Sequence, residues 1–364
     1  MLRTAEDGVM KILAINFGGI GDEVLFLPTI KSVKRAHPDW ELTLLTEPRS
    51  KSITQLSRLI DANIIFDIKK VPLLPADYFE LVSLLRKGKY DIVLSSGSSS
   101  KVCLLLFLSG IPRRIGYDSG ALSRFLLSRA VKLNRQQYAS YMYEELVSGL
   151  GIEPTYEAPE IDLDAEALAR MKAMLAEQRK IEKPGKLVLV HPGTSRLAVQ
   201  KGIIKHWSPE NWSELIKKLL NDGFEVMLCG GPDDDETVQL IRAELERSNL
   251  PKQGFIDAFG KTRSLSDLAA LMELSELIVC VDSAPMHVAA ALKKNLVALF
   301  GPTDPKKLLL ESESAVALTE ETPSGASTGN APCVRIPLDT VYHAALDQLN
   351  RVSSRENSPE CRRS

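Results

Sequence analysis

Between Leu277 and Pro305 the chain reads LIVCVDSAPMHVAAALKKNLVALFGPTDP. Two unbroken apolar runs, Leu277 to Val281 and Leu296 to Phe300, flank a polar turn and a helix of small residues, Pro285 to Leu292. Strands that are apolar on both faces belong inside a parallel sheet, and joining two of them requires a crossover. The polar residues of such a unit fall where strands end, which is where ligands bind in open α/β sheets. The segment therefore predicts an α/β fold with its chemistry near Asp282, Ser283, His287 and Thr303.

At 364 residues the chain is too long for one ordinary core and predicts two domains with a cleft. A formal charge of -2, with 25% charged residues, argues against a nucleic-acid partner. Charge is nevertheless uneven. Lys101 to Arg135 carries seven basic residues (Lys101, Arg113, Arg114, Arg124, Arg129, Lys132 and Arg135) against one acid, Asp118, which predicts a local anion-facing patch. The five cysteines, Cys103, Cys229, Cys280, Cys333 and Cys361, are widely spaced with no C-x-x-C pair. Reduced thiols in a cytosolic protein account for them most simply. The apolar run Val102 to Leu108 is far too short to span a membrane. MLRTAEDGVMKIL lacks the apolar core of a secretory signal, so residues 1 to 9 read as a loose lead-in.

Apolar runs alternate with helical patterns in both halves, the signature of doubly wound parallel sheets. In the first half we expect strands at Lys11 to Asn16, Glu41 to Thr46, Ala62 to Phe66 and Tyr90 to Ser95. Helices are expected from about Asp22 to Ala36, Ala76 to Arg86, after Ser99, and from Tyr138 to Leu150. Pro154, Pro159 and nearby glutamates give residues 152–163 the composition of a linker. It separates an N-terminal domain, 10–151, from a C-terminal domain, 164–350. The second half repeats the plan, with helices at Ala165 to Arg179, Pro209 to Asn221, Asp233 to Arg247 and Leu265 to Leu274, and strands at Lys186 to Val190 and Glu225 to Leu228. A last helix, Leu338 to Leu349, suits either domain; Glu311 to Ala331 lacks periodicity, and 351–364 reads as a disordered tail.

After the first strand, Gly18-Gly19-Ile20-Gly21-Asp22 leads into a helix, the arrangement that brings a dinucleotide pyrophosphate to a helix N-terminus, with Glu47 placed to serve as a ribose acid. However, Val24 replaces the third glycine, and Asp22 puts a carboxylate where the phosphate would sit. Two readings of Asp22 stay open: a helix cap, or a base that takes a proton from a neutral hydroxyl. Farther along, His191-Pro192-Gly193-Thr194-Ser195-Arg196 follows a strand and is trailed by Lys201 and Lys205-His206-Trp207. Small hydroxyls with cations at longer reach suit a diphosphate, although a solvated surface loop has the same composition. Asp233-x-Asp235 has the spacing by which some glycosyltransferases hold a divalent cation, yet these acids open a helix, where the dipole alone favours them. His287 fits either a packed histidine or a ligand contact. No histidine spacing suggests a metal site.

Taken together, ILAINFGGIGDEVLFLPTIKSVKRAHP, SGIPRRIGYD, HPGTSR with KHW, LCGGPDDDE, and VDSAPMHVAAAL with ALFGPTDP resemble the heptosyltransferases of the bacterial lipopolysaccharide inner core, the glycosyltransferase family 9 group. The matching pieces span about residues 10 to 305 in order. The resemblance implies a GT-B architecture, two facing Rossmann-like domains with mostly parallel sheets and a central cleft, and inverting transfer without an essential metal. It implies Asp22 as the base, with Gly19, Gly21, Arg113, Arg114 and Arg124 toward an acidic glycan or glycolipid acceptor. Thr194, Ser195 and Lys205 would hold the diphosphate of a nucleotide-sugar donor such as ADP-heptose, and Asp282, Ser283 and His287 would contact donor sugar and phosphate. A cytoplasmic location follows, with peripheral contact at the inner face of the cytoplasmic membrane. Asp282-Ser283-Ala284-Pro285 stands where many members have Asp-Thr-Gly-Leu, and Pro232 stands where a glutamate is often found. Another nucleotide-sugar transferase, a GT-B epimerase or a non-catalytic nucleotide-sugar binding module would share the C-terminal half of the pattern. Asp22 separates them, because a binding module needs no carboxylate in the acceptor domain.

Overall fold

The computed structural model describes residues 9–70, 74–179, 185–200, 202–203, 205–248, 253–320 and 334–356. Residues 1–8, Lys201, residues 321–333 with Cys333, and residues 357–364 with Cys361 lie outside them. Two compact units divide the chain, Met1–Asp162 and Leu163–Ser364.

Unit 1 runs β1 (Lys11–Ile15), α1 (Ile20–Ala36), β2 (Glu41–Thr46), β3 (Ala62–Ile65), α2 (Pro75–Gly88), β4 (Ile92–Ser95), α3 (Ser100–Leu108), β5 (Arg113–Asp118), α4 (Ala121–Leu126), β6 (Arg129–Lys132) and α5 (Ala139–Glu144). Its sheet has the order β3-β2-β1-β4-β5-β6, with every pairing parallel. The chain builds outward from β1 in one direction and from β4 in the other, so the order reverses between those two strands and leaves a crevice beyond their ends. On one face, Leu13, Ile15 and Val93 of the sheet pack against Leu81 and Leu85 of α2 and Cys103, Leu105 and Leu106 of α3.

Unit 2 runs α6 (Ala165–Gln178), β7 (Leu187–His191), α7 (Arg196–Gln200), α8 (Pro209–Asn221), β8 (Glu225–Leu228), α9 (Asp235–Arg247), β9 (Phe255–Asp257), α10 (Leu265–Glu273), β10 (Leu277–Val281), α11 (Ala284–Ala291), β11 (Asn295–Phe300), α12 (Pro305–Leu308), β12 (Ala315–Thr319) and α13 (Leu338–Glu356). The order β12-β11-β10-β7-β8-β9 is again wholly parallel and again reverses at its centre, between β7 and β10. The crossover foreseen in the sequence is present, with Leu277 to Val281 beside Asn295 to Leu299.

Several elements depart from the sequence reading. β5, α4 and β6 occupy the basic stretch, whose arginines mask the strand pattern. β12 forms inside the Ser- and Glu-rich run, where its Ala-Val-Ala-Leu pairs with β11. The helix expected from Tyr138 to Leu150 gives way at Glu145 to a tighter 3₁₀ turn. The expected linker is strapped to unit 1: Glu144 accepts from the Thr155 and Tyr156 backbone at 2.9 and 2.8 Å, Glu157 pairs with Lys31 and Arg35, and Arg58 N–H donates to Asp162 at 2.8 Å. The last helix continues to Glu356, past the point where a tail was expected, and packs Val341, Ala345 and Leu349 into the unit 2 core. Cys103, Cys229 and Cys280 are buried free thiols, and burial pushes each above the ordinary thiol value.

One buried charge-bearing group stands out in α1. Glu23 is 1% exposed, and burial, followed by the neighbouring Asp22 charge, holds its carboxyl well above the ordinary carboxylate range. Folded chains thus keep a proton on Glu23 that unfolded chains lose near pH 4.3. The stabilisation is complete below that pH and disappears as pH rises through the folded value. Glu23→Gln, which cannot titrate, should remove a slope of up to about 1.4 kcal/mol per pH unit from the wild-type stability curve in that window. Urea unfolding at stepped pH checks this; parallel curves for the two proteins would contradict it.

Candidate functional site

Three loops of unit 2 leave adjacent strands at the same edge. His191 ends β7 opposite Cys280 of β10, and Val281 ends β10 opposite Leu299 of β11. The loops that follow carry Thr194 and Ser195, Asp282 and Ser283, and Thr303. Lys205 arrives from the extended segment before α8. Trp207, two residues on, anchors that segment: its ring is buried edge-on against Trp212, its Nε1–H donates to the Ile336 carbonyl at 2.9 Å, and Val334 N–H donates to His206. Lys205 Nζ lies 2.8 Å from Asp282 Oδ2, and the Thr303 hydroxyl donates to the same oxygen. Asp282 is 2% exposed, so this cation and hydroxyl offset its desolvation.

Ser283 is the N-cap of α11, and His287 lies one turn in, buried. Thr194 is half-buried; Ser195 is exposed and accepts from Ala198 N–H at 3.3 Å, capping α7. Lys205 and Asp282 are therefore in contact, Ser283 and His287 follow directly on α11, and Thr194 and Ser195 leave the neighbouring strand at the same edge.

The acidic run is spent on loop structure. Asp234 accepts from Gly231 N–H at 2.7 Å and faces His191 Nε2 at 3.8 Å. A Cβ on Gly193 would lie 1.8 Å from Asp234 Oδ1, so glycine is required for the loops after β7 and β8 to meet. Burial raises the Asp234 carboxyl and lowers the His191 imidazole from their ordinary values. Asp233 receives Arg196 N–H at 3.1 Å, and Asp235 receives Gln239 at 3.4 Å. No group of three metal-ligating side chains converges among the described residues.

In unit 1 the glycine turn closes over the crevice between β1 and β4. Ser96, just past β4, donates to Asn16 Oδ1 at 2.6 Å, and Asn16 Nδ2 donates to the Asp22 carbonyl at 3.1 Å. Gly19, not Asp22, is the N-cap of α1; Asp22 sits at N3 and reaches back to accept Gly19 N–H through Oδ2 at 3.0 Å. Gly21 lies within the first turn. The Asp22 Oδ1 accepts from the Tyr143 hydroxyl at 3.2 Å. Burial and the Asp22 charge hold that phenol well above its ordinary value, so it remains a donor. A Cβ on Gly18 would fall 2.2 Å from the Asp22 Cβ, and glycine alone leaves room for this carboxylate. The cap and base readings are thus compatible, since both oxygens are oriented while the residue stays half-buried.

Glu47 is no open ribose acid. It is 1% exposed and pairs with Lys69 at 2.6 Å and Arg49 at 2.7 Å. The three acceptor arginines are separated. Arg113 and Arg114 begin β5, at the edge of the sheet opposite the glycine turn, where Arg114 donates to the carbonyls of Ile111, Pro112 and Leu126. Arg124 lies on α4 and pairs with Asp118, at the edge where the glycine turn sits.

Tyr143 escaped the sequence reading because 121 residues separate it from Asp22 and no local pattern links them. Asn16 carried a signal, a polar residue closing an apolar strand.

The family model for glycosyltransferase family 9 (heptosyltransferase) matches residues 78–333, beginning after the glycine turn and running beyond Pro305. Lipopolysaccharide heptosyltransferase 3 of Escherichia coli is 26% identical over 295 residues, covering 78% of this chain and 81% of that protein. Among solved structures, the family 9 glycosyl transferase of Veillonella parvula superposes with TM-score 0.75 at 22% identity, covering 94% of this chain and 97% of that one. The E. coli ADP-heptose lps heptosyltransferase II gives 0.74 at 22% identity, covering 94% of this chain and all of that one. Two Rossmann-like units and a family match over most of its length make this chain a GT-B glycosyltransferase, a member of glycosyltransferase family 9.

Proposed function

We propose that the protein transfers heptose from ADP-heptose to an acidic glycolipid acceptor of the lipopolysaccharide-core type, with inversion and without an essential metal. The donor and acceptor classes are those named for the E. coli relatives. The observation that carries the mechanism is the Asp22 carboxylate, held by Gly19 N–H and the Tyr143 hydroxyl at the N-terminus of α1. Its negative charge is favoured there by the helix dipole, and its orientation is set before substrate arrives.

In this reading the acceptor hydroxyl attacks the anomeric carbon from the face opposite the diphosphate. Its proton passes to Asp22 as the new C–O bond forms, and the old C–O bond breaks with its electron pair leaving on the diphosphate. Charge accumulates on the leaving group, and unit 2 supplies positive potential for it: Lys205, the first turn of α11 behind Ser283, and the hydroxyls of Thr194 and Ser195. Asp282 acts through Lys205, fixing the ammonium, and His287 faces the donor from α11. Lysine and a helix N-terminus meet the need that a divalent cation fills in other transferases, while the acids at 233–235 remain engaged in loop contacts. Gly19, Gly21 and Arg124 border the acceptor. The protein acts in the cytoplasm, at the inner face of the cytoplasmic membrane.

Asp22→Asn should lower kcat/KM by about 100-fold or more while ADP-heptose still raises the thermal midpoint; transfer at the wild-type rate would end the base assignment. Lys205→Ala should weaken donor binding by about 10- to 100-fold and leave acceptor KM unchanged. Because that change strands a buried Asp282, Lys205→Ala with Asp282→Asn is the companion variant; wild-type donor affinity in the folded double variant would remove Lys205 from the site. EDTA should leave turnover intact, and loss restored by Mg²⁺ would return the metal reading.

A further inference from the structure

We propose that the outer face of α3 and α4 is a docking surface for an anionic lipid bilayer. The proposal depends on the glycolipid-acceptor reading for its purpose but not for its geometry, which lies wholly in unit 1.

Phe125 is 78% exposed, and Leu104, Phe107, Leu108 and Leu122 are between 44% and 51% exposed. On α3, Lys101, Leu104, Phe107 and Leu108 recur at helical spacing on one side, while Cys103, Leu105 and Leu106 fill the core on the other. On α4, Leu122 and Phe125 stand outward while Ser123 and Leu126 are buried. The two helices pack together, and Arg114 joins their outer faces: its guanidinium lies 5.5 Å from the Phe107 ring centroid and its Nε donates to the Leu126 carbonyl at 2.9 Å. Five large apolar side chains grouped in this way exceed the scattered exposure of an ordinary surface.

The rim identifies the partner. Cations lie on the same or adjoining elements: Arg86 donates to the Leu108 carbonyl at 2.8 Å, Lys101 is on α3 and Arg124 on α4, and Arg113 and Arg129 begin the neighbouring strands β5 and β6. From Leu81 to Tyr143 the sequence holds ten Lys and Arg against two acids, Asp91 and Asp118. A second copy of this chain would bring like charge against like. Exposed Leu and Phe on elements that also carry cations match a bilayer, whose acyl region takes the apolar side chains and whose anionic headgroups take the lysine and arginines.

Sedimentation of the full chain with vesicles tests the surface. Phosphatidylcholine with an equal part of phosphatidylglycerol should bind the protein, and phosphatidylcholine alone should not. Leu104→Ser with Phe125→Ser should weaken binding by about tenfold. Lys101→Glu, which keeps the helix start intact, should weaken it by about tenfold as well. Equal binding by wild type and Lys101→Glu, or no binding to the anionic vesicles, would overturn the proposal. Binding confined to vesicles containing lipid A would also overturn it, assigning the face to the glycolipid. Transfer to an acceptor freed of acyl chains should be unchanged in both variants, which keeps failure of the surface distinct from failure of the transferase reading.

Discussion

A parallel sheet sends every strand in the same direction, so all of its strand-following loops gather at one edge. That constraint governs both halves of this protein. In each unit the strand order reverses at the centre, and the loops on either side of the reversal cannot close over the same space. Chemistry-bearing residues from distant parts of the chain meet there: Asn16, Asp22 and Ser96 in unit 1, and Thr194, Asp282 and Thr303 in unit 2. The apolar strands beneath them are buried on both faces and fix the positions of the loops.

The polar groups at these edges are held by one another. Asp282 is nearly inaccessible to water, a costly situation for a carboxylate, and the Lys205 ammonium and Thr303 hydroxyl offset that cost. Trp207 fixes the backbone that delivers Lys205 through a buried indole and its bond to Ile336, so the position of a cation depends on packing near α13. Asp22 follows the same logic on a smaller scale, with one oxygen on Gly19 N–H and the other on Tyr143. Burial holds the carboxyl of its neighbour Glu23 well above the ordinary carboxylate range.

The basic stretch shows how a single compositional signal can serve several ends. Arg114 is committed to backbone carbonyls and the Phe107 ring, Arg124 to Asp118, and Arg135 to Ser98. Folding into a strand, a helix and a second strand spreads these arginines over two edges of the sheet and its outer face.

The sequence by itself determined the parallel α/β class, the two-unit plan, the crossover from Leu277 to Phe300, and Asp22, Lys205 and Asp282 as residues of interest. These were legible because period, apolar run length and glycine turns are local properties, set within a few residues. β5, β6 and β12 were not, since their strand character comes from pairing with neighbours rather than from their own composition. The strap at 152–162 has a linker's prolines, and only contacts to distant residues tie it down: Glu144 holds the Thr155 and Tyr156 backbone, Lys31 and Arg35 pair with Glu157, and Arg58 N–H donates to Asp162. Tertiary structure alone brought Tyr143 to Asp22, Lys205 to Asp282 and α13 into the unit 2 core. Each of these contacts joins residues far apart in the chain, and such contacts become favourable only after the sheets have formed and water has been excluded between them.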